Sequence, residues 1–316
     1  MKGASPVLRP STLTVRMVLN WEAHVSLRYH TVDVFTRTRF GGNPLAVVLD
    51  ADGLTTEQMQ AIAREFNYSE SSFVLRPSDE RHTASVRIFT STVEVPFAGH
   101  PNVGTAFVLA SLGIVSVNDE YVFEEKAGLV RACILRDGEN IMIQITAPQP
   151  LSIGKTFDSE TIANCLSLTI DEISCEVHPP RVVSVGLPFL VVELANRKAL
   201  ERATVHQSSF ERILPEDGVD SIYFYSREIH ERDGAVDFTA RMFAPFDTLP
   251  EDPATGSATA ATCALLASLE GRASRSFKVA QGIDMGRPSL MSVDVLQDKV
   301  LITGSCVSVM SGQLLV

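Results

Sequence analysis

Residues 98–113, AGHPNVGTAFVLASLG, and residues 255–271, TGSATAATCALLASLEG, read as helices whose bodies are nearly all small or apolar. Such a helix has no polar face to offer water, so it must be covered on most sides. The two stretches also match each other. Shifted by 157 positions, Gly99, Thr105, Leu109, Ala110, Ser111 and Leu112 meet Gly256, Thr262, Leu266, Ala267, Ser268 and Leu269. A shift near 144 lays Gly42-x-Pro44-x-x-Val47-Val48 on Gly186-x-Pro188-x-x-Val191-Val192, and RIFT at 87–90 is echoed by RMFA at 241–244. Small apolar helices converge in composition, but chance does not set order. Three echoes in one order, at shifts near half the chain length, indicate an internal duplication.

The rest of the pattern is mixed α and β. YHTVDVFT and LAVVLD alternate as strands around a turn at Gly41 and Gly42, and SSFVLRP, ASVRIFT and IMIQITAP read as further strands. TTEQMQAIAREFN predicts an amphipathic helix capped by Thr55 or Thr56, with Met59, Ile62, Ala63 and Phe66 on one face. A chain of 316 residues exceeds the usual growth of one core. We therefore expect two similar α/β domains, residues 28–150 and 151–316, each with strands packed around its apolar helix. The prolines and glycine of APQPLSIGK, 147–155, mark the boundary. Residues 1–27 read as a poorly ordered extension without chemistry; a weak transit signal, or sequence upstream of a start at Met17, is the alternative.

Several partner classes lack support. The formal net charge is −11, and no basic cluster interleaved with aromatics points to nucleic acid. No stretch reaches the roughly 18–20 apolar residues of a membrane-spanning helix. Five scattered cysteines without a CxxC suit reduced thiols, so a soluble cytoplasmic protein is expected. GxGxxG, phosphate-loop and GxSxG motifs are missing, and no HxxxH pair suggests a metal site, so the expected chemistry needs neither cofactor nor metal.

The helix starts carry the candidate chemistry. Each exposes unpaired N–H groups and about half a positive charge, which makes it an anion site, and Gly99 and Gly256 allow close approach of a ligand. Salt limits the opposing field of the net charge to about 8 Å. Two related domains could bring two such starts to one cleft, where a small carboxylate would fit. By pattern alone the glycines can equally serve packing, and Pro101 is a good first-turn residue. Glu70, in the polar link EFNYSE, can move a proton or be a solvated loop residue with Ser69 bonding its own backbone. Glu251 and Asp252 can serve a site or simply sit well at a helix start. His100 can be functional or locally hydrogen-bonded.

VDVFT, GGNPLAVVLDADGLTTEQMQAIAREFNYSESSFVL, RIFTSTVEVPFAGHP, RMFAP, EDPATGSATAA and QGIDMGRPS together resemble the PhzF-like proteins of phenazine biosynthesis, from about residue 29 to the C-terminus. The resemblance implies an α+β, diaminopimelate epimerase-like fold: two pseudo-symmetric domains, each a barrel-like, mostly antiparallel sheet around a central apolar helix, with the active site between them. The best-known enzyme of that family isomerises trans-2,3-dihydro-3-hydroxyanthranilate by moving a proton within the ring, using no metal or cofactor. By resemblance, Glu70 is the acid/base, His100 and Asp252 are the polar residues beside it, and Gly99, Gly256 and Ser257 hold the ligand. The related epimerases place a cysteine before each glycine, where this chain has Ala98 and Thr255, so a two-thiol racemase is not expected.

The function expected is thus a cofactor-independent isomerase for a small anionic, carboxylate-bearing metabolite, a cyclic dihydro-hydroxyanthranilate-like compound being one candidate, working as a homodimer. Its rivals are a family member that binds without turnover and an amino-acid epimerase that uses Glu70 with another partner.

Overall fold

A computed structural model describes residues 26–316 except Glu139, Glu216, Asp217, Asp247, Thr248 and Asp298. The extension expected over residues 1–27 lies outside these residues, apart from Ser26 and Leu27, which open the first strand. In chain order the first half runs β1 (Ser26–Val34), β2 (Asn43–Val48), α1 (Thr56–Phe66), β3 (Glu70–Leu75), β4 (Ala84–Phe89), β5 (Glu94–Val95), α2 (Gly99–Ser111), β6 (Glu120–Glu125), β7 (Gly128–Asp137), β8 (Asn140–Thr146) and β9 (Ser152–Thr156). α3 (Ser159–Cys165) and β10 (Ile173–Ser174) follow. The second half runs β11 (Arg181–Ser184), β12 (Pro188–Leu194), α4 (Arg197–Arg202), α5 (Gln207–Ile213), β13 (Ile222–Ser226), β14 (Phe238–Phe243), β15 (Glu251–Asp252), α6 (Gly256–Leu269), β16 (Ser274–Gln281), β17 (Ser289–Leu296) and β18 (Lys299–Leu315).

The duplication is visible in the signs of the strand pairs. β2–β3 and β12–β13 are parallel, as are β4–β6 and β14–β16. β1–β2 and β11–β12, β3–β4 and β13–β14, β6–β7 and β16–β17, and β7–β8 and β17–β18 are antiparallel. The glycine turns also correspond: Gly42 between β1 and β2 has φ 62° and Gly186 between β11 and β12 has φ 149°. A side chain on Gly42 would place its Cβ 2.3 Å from the Val34 carbonyl oxygen.

Each half ends by leaving its own sheet. β8 and β18 pair antiparallel, with Leu301 opposite Thr146 and Ser305 opposite Met142. Beyond this meeting, β9 pairs with β11 of the second half, and the far part of β18 pairs with β1 of the first, from Cys306 opposite Val34 to Leu315 opposite Ser26. Among the described residues the first barrel closes as β1-β2-β3-β4-β6-β7-β8-β18 around α2. Residues 147–155 span the crossing from β8 to β9. Pro148 and Pro150 break the strand there because proline donates no ladder hydrogen bond. β18, which has no proline, runs unbroken for 17 residues.

Both central helices are covered as their composition requires. Every residue of α2 from Gly99 to Ala110 is buried, and α6 is buried along almost its whole length. Side chains such as Val103, Phe107 and Leu109 each contribute about 1.5–3 kcal/mol by leaving water. One core cluster includes residues around both helices, so the halves share an interior. α1 keeps a wet face and closes over its own small cluster through Met59 and Ala63, with Thr55 and Gln58 forming its capping box. Two bidentate ion pairs occupy matching places. Arg87 of β4 holds Glu94 of β5 at 2.8 and 2.7 Å, and Arg241 of β14 holds Glu251 of β15 at 2.8 and 2.9 Å. They pin the two-residue strands that lead into α2 and α6.

Candidate active site

α1 stops at Asn67, whose left-handed backbone (φ 52°) sends its N–H to the Ala63 carbonyl and turns the chain back toward the sheet. Glu70 follows three residues later. It is not part of a free polar link: it is the first residue of β3, in register with Leu45 of β2. Gly99 and His100 begin α2, Asp252 ends β15, and Gly256 and Ser257 begin α6. All six expected site residues line one cavity of about 270 Å³. The helix starts meet there: a Cβ added to Gly99 would lie 3.7 Å from the Ser257 nitrogen and 4.0 Å from the Gly256 Cα.

A buried amide links the polar groups. Asn43 Nδ2 lies 2.8 Å from Asp252 Oδ1, 3.0 Å from the Ala254 carbonyl and 3.3 Å from His100 Nδ1. It has two protons to give, and the two shorter contacts use them. That leaves His100 Nδ1 to carry its own proton toward Glu70 Oε2, 3.5 Å away. Burial pushes the His100 pKa down to about 3, so the imidazole is neutral and this 3.5 Å approach is not an ion pair. Asp252 is held from three sides: Asn43 and Ser69 Oγ donate to Oδ1, the latter at 3.2 Å, and Thr255 Oγ1 donates to Oδ2 at 2.5 Å. Ser69 therefore reaches across to the other half rather than to its own backbone. Asp252 does not cap α6 directly; Thr255 is the N-cap. Behind it, Gln281 accepts from the Thr255 N–H at 3.0 Å and donates to the Asp252 carbonyl at 2.8 Å.

The mouth suits an anion without a cationic side chain. Neither Ala98 nor Thr255, the N-caps of α2 and α6, gives its helix a side-chain cap, so first-turn N–H groups are left for a ligand. Among the described residues lining the cavity there is no lysine or arginine. Val95, Phe97, Leu187, Phe189, Met242 and Leu249 give the cavity apolar walls.

The pairing registers show how the duplication became asymmetric. Ser71 and Ile222 face Phe89 and Phe243 respectively, so Glu70 corresponds to Ser221 and Ser69 to Asp220. In the same way Val95 corresponds to Asp252, and the repeat shifts match Asn43 with Leu187, Ala98 with Thr255 and His100 with Ser257. The polar pair Asn43–Asp252 thus has an apolar counterpart in Leu187 and Val95. Asn43, Ser69, Thr255 and Gln281 were missed by reading motifs one at a time. Comparing the two repeats for polar residues matched with apolar ones finds Asn43 and Thr255.

Comparison with known proteins agrees with this architecture. An uncharacterized isomerase of Mesorhizobium japonicum is 39% identical over 273 residues, spanning 84% of this chain and 90% of its own. Trans-2,3-dihydro-3-hydroxyanthranilate isomerase of Pseudomonas aeruginosa is 34% identical over 268 residues, 84% of this chain and 88% of its own. Among solved structures, a Bacillus anthracis phenazine biosynthesis protein of the PhzF family superposes with a TM-score of 0.84 at 28% identity, covering 92% of this chain and 99% of that one. The fold is the diaminopimelate epimerase-like fold. With the model of the phenazine biosynthesis-like proteins matching residues 32–312, this chain belongs to the PhzC-PhzF family.

Proposed function

We propose that this protein is an isomerase that moves a proton along one face of a small, cyclic, carboxylate-bearing metabolite, with Glu70 as the acid/base. The observation that carries the reading is the asymmetry of the duplication at the cavity. Glu70 lines the cavity 3.5 Å from His100, whereas its counterpart Ser221 is only 1% exposed and carries no carboxylate. Inversion of a stereocentre takes a base on each face; moving a proton between two carbons on one face takes one group. The two helix starts supply N–H donors for the substrate carboxylate, and the apolar wall accommodates a ring. Glu70 takes a proton from one carbon, the electron pair shifts through the unsaturated system toward the acceptor carbon, and the protonated Glu70 returns the proton there. The neutral His100 steadies the carboxylate without adding a charge. The isomerase names of the relatives support this class of reaction.

The test uses deuterated water. Trans-2,3-dihydro-3-hydroxyanthranilate, the compound in the name of the Pseudomonas relative, and a panel of cyclic amino and hydroxy acids are incubated with wild type and with Glu70→Gln. Isomerised product from the wild type is expected, and the variant should be slower by about 10²- to 10⁴-fold, the usual worth of a positioned acid/base. Tight binding of these compounds with neither product nor deuterium uptake makes the protein a binder and ends the proposal. Deuterium uptake with inversion at a single carbon makes it an epimerase instead.

A further inference from the structure

Glu125 ends β6 with both carboxylate oxygens buried and neither in hydrogen-bond geometry with a partner, and the proton-transfer reading gives it no part. Its place in the duplication is informative. β4–β6 sets Ser85 opposite Glu124, and β14–β16 sets Thr239 opposite Ala280. With Arg87 and Arg241 as counterparts, Glu125 corresponds to Gln281. The Gln281 amide accepts from Thr255 N–H and donates to the Asp252 carbonyl, tying β15 to the start of α6 across Pro253. In the first half Val95, Pro96 and Ala98 stand where Asp252, Pro253 and Thr255 stand in the second. Ala127, two residues after Glu125, already donates to the Pro96 carbonyl at 3.1 Å. Asn102, in the first turn of α2, donates to the Ala98 carbonyl at 3.0 Å while its own Oδ1 is buried without a partner.

We propose that Glu125 is a positioning residue that works as a neutral carboxylic acid, the proton-bearing counterpart of Gln281, and steadies the Val95–Ala98 turn beneath Gly99 and His100. A protonated carboxyl offers one donor and one acceptor, as an amide does; a carboxylate offers acceptors alone. A buried anion also needs a charge to answer it, and among the described residues none faces Glu125. Its neighbour Glu124 is engaged with Ser78 and His82, while Lys126 and Arg87 are both bound to Glu94 of β5. On β7, Arg131 is bound to Glu120, and α2 brings the uncharged Asn102 and a neutral His100. Burial pushes the Glu125 carboxyl up to about 8, with the Asn102 amide pulling the other way. When the proton leaves, a buried charge stands against the Val95–Ala98 turn and the mouth of α2 loosens.

The consequence for catalysis rests on the proposed function, but the test reads the protein itself. In ¹³C-glutamate-labelled protein the Glu125 carboxyl signal is identified by its loss in Glu125→Gln and followed with pH. It should titrate near pH 8, well above the ordinary carboxylate range. Backbone exchange at Ala127, whose N–H donates to the Pro96 carbonyl, compared with Thr255, whose N–H donates to Gln281, reports the positioning. Wild type should lose protection at Ala127 as Glu125 ionises, whereas Glu125→Gln keeps it. A Glu125 signal that titrates among ordinary carboxylates overturns the proposal. So does a Glu125→Gln variant whose exchange at Ala127 follows the wild-type pH profile, or that is loosened at every pH. None of these readings depends on turnover, so an absence of isomerase activity leaves the test intact.

Discussion

His100 carries no charge in this fold, and that determines how the residues around it behave. A histidine whose folded pKa is pushed from 6.5 down to about 3 is one the unfolded chain protonates first as the solution is acidified. Between those values the unfolded state binds the extra proton, so stability falls as pH drops and is recovered as pH rises. His100→Asn removes this term. Urea unfolding at about pH 7 and about pH 4 should show a shallower acid loss in the variant than in the wild type, and equal losses would mean that the folded imidazole takes up the proton freely. Because His100 stays neutral, no break in activity near the ordinary histidine pKa is expected from it. The histidine was visible in the sequence as a polar residue at the mouth of an apolar helix. Its neutrality was not, because burial by both halves sets it.

At the scale of elements, α2 is packed so closely that one of its glycines is a spacer. A Cβ on Gly104 would lie 2.5 Å from Leu45 Cδ2 and 2.9 Å from Val34 Cγ2, side chains of β2 and β1 that are fully buried. Gly104→Ala should therefore overpack the first barrel and cost about 1–3 kcal/mol, seen as a lower urea midpoint with an unchanged slope. A stabilised variant would mean that helix propensity outweighs the clash, since alanine is the better helix former by about 1 kcal/mol. α1, by contrast, was legible in detail: its Thr55 cap, its buried Met59 and Ala63, and its stop at Asn67 are all local signals. Glu70 was legible as a residue and misread as an element. Local pattern saw a polar gap, whereas the parallel pairing with β2 extends the strand to include it.

For the whole molecule, the exchange of end strands ties the halves together. The final part of β18 closes the first barrel against β1, and β9 joins the second sheet at β11. Deleting residues 306–316 should leave β1 with an open edge and the first barrel unclosed, and abolish cooperative unfolding, as followed by circular dichroism in urea. A truncated chain that still unfolds in one sharp transition would show that the crossing is dispensable. Residues 26–150 expressed alone should fail for the same reason, because the strand that closes their barrel comes from the other end of the chain.

The sequence by itself determined the duplication, the two covered helices, the glycine turn between β1 and β2, and the presence of two glycine-led helix starts. Those features are written in spacings of a few residues and in hydrophobic composition, which act locally wherever the chain goes. Only the tertiary structure decided that the helix starts face each other, that each half surrenders its last strand to the other, and that Asn43 bridges His100 and Asp252. Asn43 and Asp252 are 209 positions apart, and their 2.8 Å contact exists because strand registers in both halves align them. No local pattern encodes that distance, since it is the sum of many pairings made across the chain.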